Sequence, residues 1–128
     1  MQNNLLDTHT LLWYIDGNEK ISAASRTLIE EKGIVNFVSI ISLWEISIKI
    51  SLGKLEILTP FSNFSQLINE NGFEILPISF EDILLLTNLP FHHRDPFDRM
   101  LVVQSINNNL KILSRDEILD NYQVNRIW

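Results

Sequence analysis

The sequence predicts an α/β sandwich: a mainly parallel central sheet with helices covering both faces. Two observations predict it. Compact apolar runs, Asn4–Asp7, Ile34–Val38 and Leu110–Leu113, have strand length. The segments between them have helix length and carry helix start and stop residues, an alternation that builds parallel sheets.

Taken in order, Asn4–Asp7 is a strand ending in an acid, and Thr8–Tyr14 continues as a helix through Leu11, Leu12 and Trp13. Ser22–Lys32 places Ala23, Ala24, Leu28 and Ile29 at helical spacing, with Ser22 as cap and Gly33 as stop. Ile34–Val38 is a buried strand. Ser39–Leu52 is ambiguous, because Ile46, Ile48, Ile50 and Leu52 alternate with polar residues as a strand would. A largely buried helix is preferred, since Ser42, Glu45 and Lys49 then share one narrow polar face. Phe61–Asn71 is a further helix, and Phe73–Ile78 a strand interrupted near its end by Pro77. Ser79 caps a helix running to Leu89, with Glu81 and Asp82 in its first turn. Asp95 caps the next, Pro96 occupies its first turn, and the helix continues to Asn108. Leu110–Leu113 is followed at once by Ser114, Arg115 and Asp116, and Tyr122–Trp128 supplies a last edge strand.

At 128 residues, with 45% apolar and 20% charged residues, residues 1–128 make one globular domain. The chain has no cysteine, which excludes disulfides, thiolate metal sites and thiol nucleophiles and favours a cytoplasmic setting. No signal-like start or long uncharged apolar stretch is present, so a mature chain without a membrane span is expected. The net charge of −6 argues against a general basic grip on nucleic acid. Four acids neutralised by divalent cations would leave only −2 on the rest of the chain.

In a parallel sheet, ligands bind beyond the carboxyl ends of the strands, and Asp7 and Asp116 both follow such ends. Asp98, in the first turn of its helix, reaches the same edge, and Glu45 projects from the polar face of an apolar helix. Gathered carboxylates need cations, and oxygen-only donors select hard ions such as Mg²⁺ or Mn²⁺. Such an ion activates water and stabilises charge on phosphorus, so the implied reaction is phosphodiester hydrolysis.

The strings LLDTHTLLW (Leu5–Trp13), SLWEISIK (Ser42–Lys49), HRDPFDRML (His93–Leu101) and LSRDEIL (Leu113–Leu119), with the closing NRIW, resemble the successive motifs of PIN-domain ribonucleases. The group most resembled is the VapC-like toxins of bacterial toxin–antitoxin pairs. The resemblance implies a PIN-like three-layer sandwich and an endoribonuclease using one or two Mg²⁺ or Mn²⁺ ions. It assigns metal and catalysis to Asp7, Glu45, Asp98 and Asp116, and matches Asp95 to the subgroup's pattern. It also implies an RNA substrate, an antitoxin that blocks the cleft, and a homodimer. Where the family carries Ala near Val103 and Gly near Asn109, this chain differs, which touches packing and a cap.

Each residue also has a plainer reading. Asp7, Asp95 and Asp116 could act only as caps, and Asp98 could act only on the helix dipole. Glu45 and Lys49 have the spacing of a surface ion pair, although a place for Lys49 beside the carboxylates is preferred. Thr8 and Ser114 are either groups that orient the acids or turn residues. His9, His92 and His93 lack zinc-site spacing, and with Arg94, Arg99 and Arg115 form either a phosphate-facing rim or solvated loops. Trp13, Trp44 and Trp128 are assigned to core packing in preference to base stacking. The competing function is an inactive module whose acidic pocket holds a basic segment of a partner. A phosphoryl-accepting receiver is disfavoured because the acids and lysine are in the wrong order.

Overall fold

The computed structural model describes residues 2–128. In chain order the elements are β1 (Asn4–Leu6), α1 (Thr8–Ile15), α2 (Ala23–Glu30), β2 (Asn36–Ser39), α3 (Ile40–Ser51), α4 (Phe64–Glu70), β3 (Glu74–Leu76), α5 (Phe80–Leu86), α6 (Pro96–Asn107), β4 (Lys111–Leu113) and β5 (Asn125–Ile127). Short 3₁₀ turns at Phe61–Asn63 and Glu117–Asn121 precede α4 and β5. The five strands form one sheet in the order β3-β2-β1-β4-β5, and every pairing is parallel.

This layering follows from the alternation of side chains along a strand. Leu5 and Ile112 point into one core with Met100, Leu101, Val102, Val103 and Tyr122. Their neighbours Leu6 and Leu113 point into the other, with Leu11, Leu12, Ile29, Ile46 and Phe64. β1 and β4 are therefore buried on both faces, which is why they appear as unbroken apolar runs.

Local sequence sets the helix boundaries. Ser22 accepts from the Ser25 amide, and Ser79 with Asp82 forms a reciprocal capping box. Asn109 adopts φ 51° just after α6, the left-handed stop that Asn tolerates better than most residues.

Several boundaries differ from the sequence reading. α2 ends at Glu30 and α5 at Leu86, and the expected Phe61–Asn71 helix begins as a 3₁₀ turn. α3 is helical, as preferred, but is not largely buried: Ile40, Trp44 and Leu52 are all exposed. Hydrophobicity alone did not indicate which side of α3 faces solvent. Trp44, 58% exposed, corrects its assignment to the core; it meets only the edge of Phe97 in an aromatic pair at 5.7 Å.

Candidate active site

The strand order runs outward from β1 in both directions, so a crevice opens beyond the carboxyl ends of β1 and β4. Asp7 follows β1 directly. Its amide donates to the Leu113 carbonyl at 3.2 Å, and the Thr10 hydroxyl donates to the same carbonyl at 2.8 Å. These bonds fasten the start of α1 to the end of β4 and hold Asp7 at the crevice. Asp116 arrives through the turn after β4, where buried Ser114 accepts the Asp116 amide at 3.1 Å. Asp98 projects from the first turn of α6.

Asp7, Asp98 and Asp116 line one cavity of about 220 Å³, together with His9 and Ser114. Glu45 does not line it. Its Oε1 accepts from the Thr8 hydroxyl at 2.7 Å, and Thr8 adjoins Asp7. The Thr8 oxygen also lies 3.0 Å from Ser42 Oγ. A hydroxyl has one proton, and the carboxylate takes that of Thr8, so Ser42 donates in turn to Thr8. The other oxygen of Glu45 pairs with Lys49 Nζ at 2.8 Å. That bond raises the Lys49 pKa, and the charges of Asp95 and Asp98 raise it further. Lys49 thus feels the acids of the crevice as well as its own helix partner.

Asp98 is the electrostatically strained member. Burial, then the charges of Asp95, Glu45 and Asp116, push its pKa up to about 6, against a smaller opposing effect of His93. Asp98 therefore feels Glu45 of α3 and Asp116 beyond β4 as well as its neighbour Asp95, and meets Asp7 at the cavity they line.

Capping and chemistry prove compatible at these positions. One oxygen of Asp7 accepts the Thr10 amide at 2.8 Å, and Asp116 Oδ1 accepts the Ile118 amide at 3.0 Å. A carboxylate has a second oxygen, and that of Asp7 accepts no hydrogen bond among the described residues, nor does either oxygen of Asp98. Asp95 is a cap in full, its Oδ1 accepting the Phe97 and Asp98 amides at 2.7 and 3.2 Å.

Among the described residues, no three acids or imidazoles stand close enough together to hold a metal ion as they are placed here. The donor chemistry nonetheless suits a hard cation. The unengaged atoms of Asp7 and Asp98 are carboxylate oxygens, and Asp98 holds its charge poorly without a counterion. Asp7, Asp98 and Asp116 would hold such an ion, with Glu45 contributing from beside Thr8.

His93, read from the sequence as a rim or solvated loop residue, is neither. Buried, it places Nε2 2.6 Å from Asp116 Oδ2, while its Nδ1 lies 3.1 Å from the Tyr122 hydroxyl and its amide donates to that hydroxyl at 2.9 Å. A bare Nε2 lone pair so close to an ionised carboxylate would be repelled, so Nε2 carries a proton and donates it to Asp116. The Tyr122 hydroxyl partners Nδ1 on the other side of the ring. The only sequence signal was a histidine two residues before Asp95, at the start of the string HRDPFDRML.

Arg99 corrects another reading. It is buried, and its guanidinium donates to the carbonyls of Leu86, Leu89, Pro90 and His93 at 3.0 to 3.5 Å. Both terminal nitrogens are turned to backbone carbonyls, so the guanidinium faces the loop and not a phosphate. It staples the loop that carries His93. Of the remaining rim candidates, Arg94 and His92 are exposed, while His9 and Arg115 border a second groove with Trp13.

No curated protein matches the chain. Solved structures do. VapBC2 from Rickettsia felis, bound to a DNA fragment from their promoter, superposes with a TM-score of 0.72 at 15% identity, over 98% of both chains. A toxin–antitoxin complex from Klebsiella pneumoniae gives 0.67 at 14% identity, over 98% of this chain and 97% of that one. FitAcB from Neisseria gonorrhoeae gives 0.67 at 18% identity, over 98% and 96%. At such identities the likeness establishes the fold. The model of the PIN domain family matches residues 5–125, nearly the whole chain, and the chain belongs to that family.

Proposed function

We propose that the chain is a Mg²⁺- or Mn²⁺-dependent endoribonuclease and the toxin of a toxin–antitoxin pair. The observation that carries this reading is the meeting of Asp7, Asp98 and Asp116 at one cavity on the carboxyl edge of the sheet, where the charge on Asp98 is left uncompensated.

A divalent cation bound there supplies water activation and stabilises charge on the phosphorus. The side chains do the rest. Asp7 and Asp98 offer unengaged oxygens toward the cavity, and their repulsion becomes binding strength for a cation. Asp116 is held in orientation by His93 and by the Ile118 amide. Thr8 fixes Glu45, and Lys49 offsets part of the negative field that an incoming phosphate would meet. The outcome is in-line displacement at a backbone phosphate.

The partner reading rests on two supports. Of the structural neighbours named above, the one from Klebsiella pneumoniae is a toxin–antitoxin complex by description. The protein also exposes large apolar side chains: Phe80, Ile83 and Leu84 on α5, with Trp44 and Phe91 elsewhere, more than an isolated domain needs. An antitoxin covering the cleft and a second copy of the chain would each bury such surface. Among the described residues no helix is long and apolar enough to cross a membrane. We assign the activity to the cytoplasm, where its substrate is.

Incubation of purified protein with RNA and Mg²⁺ or Mn²⁺ tests the reading. Cleavage that stops on chelation, and that Asp7→Asn and Asp98→Asn abolish, is the expected result. Cleavage that survives chelation or either substitution overturns it. An inactive module that holds a basic peptide would cleave nothing under any of these conditions.

A further inference from the structure

Beside the acidic cavity, and sharing Asp7 and Asp116 with it, lies a second groove of about 360 Å³. Its other walls are His9, Trp13, Lys20 and Arg115. We propose that this groove seats an unpaired RNA nucleotide next to the scissile bond, its base stacked on the His9–Trp13 pair and its phosphate held by Lys20 and Arg115. The proposal rests on the nuclease reading and adds a substrate-binding site to it.

The walls have the chemistry of a single-strand reader. His9 and Trp13 lie one turn apart on α1 and stack with centroids 5.7 Å apart and planes 24° from parallel. Trp13 is braced by Trp128 at 5.7 Å, so the platform is rigid before a base arrives. Trp13 was assigned to the core from its apolar neighbours; it packs there in part but also forms this wall. Arg115 Cζ and Lys20 Nζ stand 5.8 and 6.0 Å from the Trp13 ring centroid. Both side chains are exposed, and neither forms an ion pair with a carboxylate among the described residues. They remain available to phosphate.

Cations and aromatic faces in one groove are what an unpaired nucleotide requires, since stacking tolerates any base and the cations follow the backbone. A duplex hides its base faces and would gain only the phosphate contacts. The arrangement also answers the objection raised by the net charge of −6. Lys20 and Arg115, without ion pairs among the described residues, give the backbone a local attraction at the mouth of the acidic cavity that does not require a basic surface overall.

The test separates binding from cleavage. A labelled short single-stranded RNA is titrated with the full chain in chelator, by fluorescence anisotropy, beside an abasic analogue of equal charge. The abasic analogue should bind wild type about tenfold more weakly. Trp13→Ala should weaken the normal RNA by a similar factor while leaving the abasic analogue unchanged. Because Trp13 also packs on Trp128, two further variants keep the test valid. Trp13→Phe should retain most of the affinity, and the surface pair Lys20→Gln with Arg115→Gln should flatten the salt dependence by about 1.4 log units per log of salt. Equal binding of both RNAs by wild type, or unchanged binding by Trp13→Ala and by the double variant, overturns the proposal. Wild type that shows the expected binding yet cleaves no RNA with Mn²⁺ refutes the nuclease reading and leaves the groove standing. Wild type that cleaves while every variant binds as it does refutes the groove alone.

Discussion

Replacing Asp98 by Asn should stabilise the metal-free protein while destroying the proposed activity. The Asp98 pKa is pushed from 3.8 to about 6 by burial and by Asp95, Glu45 and Asp116. A carboxyl that holds its proton more tightly folded than unfolded opposes folding once the pH exceeds its unfolded value. Below pH 3.8 both states are protonated and the group is neutral in its effect. Between there and about pH 6 the unfolded chain gives up its proton first, and the penalty grows; above pH 6 it is constant. The full rise corresponds to about 3 kcal/mol. Partial exposure, solvent screening and the favourable helix dipole at this first-turn position reduce that to about 1–2 kcal/mol, or about 4–8 °C in melting temperature. Thermal melts of wild type and Asp98→Asn in chelator, from pH 3.5 to 8, read this directly. A gain that appears near pH 5 and saturates above pH 6 is expected. A loss of stability at pH 7.5, or the same gain at pH 3.5, would refute the argument that uncompensated charge defines the site.

Other perturbations act through the groups that hold the acids. His93→Phe removes the donor to Asp116 and should lower Mn²⁺ affinity about 10–100-fold, measured by calorimetry, with the fold retained by circular dichroism. Tyr122→Phe, which leaves Nε2 in place but frees the His93 amide and ring, should produce a smaller loss in the same direction. Thr8→Val leaves Glu45 Oε1 without its buried donor and should cost about 1.5–3 kcal/mol in denaturant unfolding. Arg99→Met should destabilise strongly, by about 3 kcal/mol or more, because four carbonyls lose one donor together; an Arg99 variant with normal stability and weakened RNA binding would restore the phosphate-facing role rejected above.

What the sequence makes legible is what local chemistry decides. The strand runs, the caps Ser22, Ser79 and Asp95, and the placement of Asp7 and Asp116 after strands can all be read from short windows. The position of these acids can be read from the strand ends, although capping alone would also place them there, as Asp7 and Asp116 do cap the turns that follow. Long-range contacts resist such reading. The His93–Asp116 bond joins residues 23 apart and the Thr8–Glu45 bond residues 37 apart, so neither leaves a periodic trace. Arg99 shows the same difficulty from another side. An arginine in a polar loop-and-helix motif looks solvated, yet the carbonyls around the end of α5 turn inward and need a planar donor. Trp44 and Trp13 misled because an apolar neighbourhood in sequence does not tell which side of a helix meets the sheet. Glu45 was expected in the cavity with the other acids, and reaches it only through Thr8 and through its effect on Asp98.

The account stands on one physical claim, that repulsion among these carboxylates is relieved by a divalent cation. Titration calorimetry with Mn²⁺ on the RNA-free protein measures it. Saturable binding is expected in wild type and in the surface control Glu81→Gln, with a loss of more than about 100-fold in each of Asp7→Asn, Asp98→Asn and Asp116→Asn. Absence of binding in wild type, or equal binding in all five proteins, would contradict it.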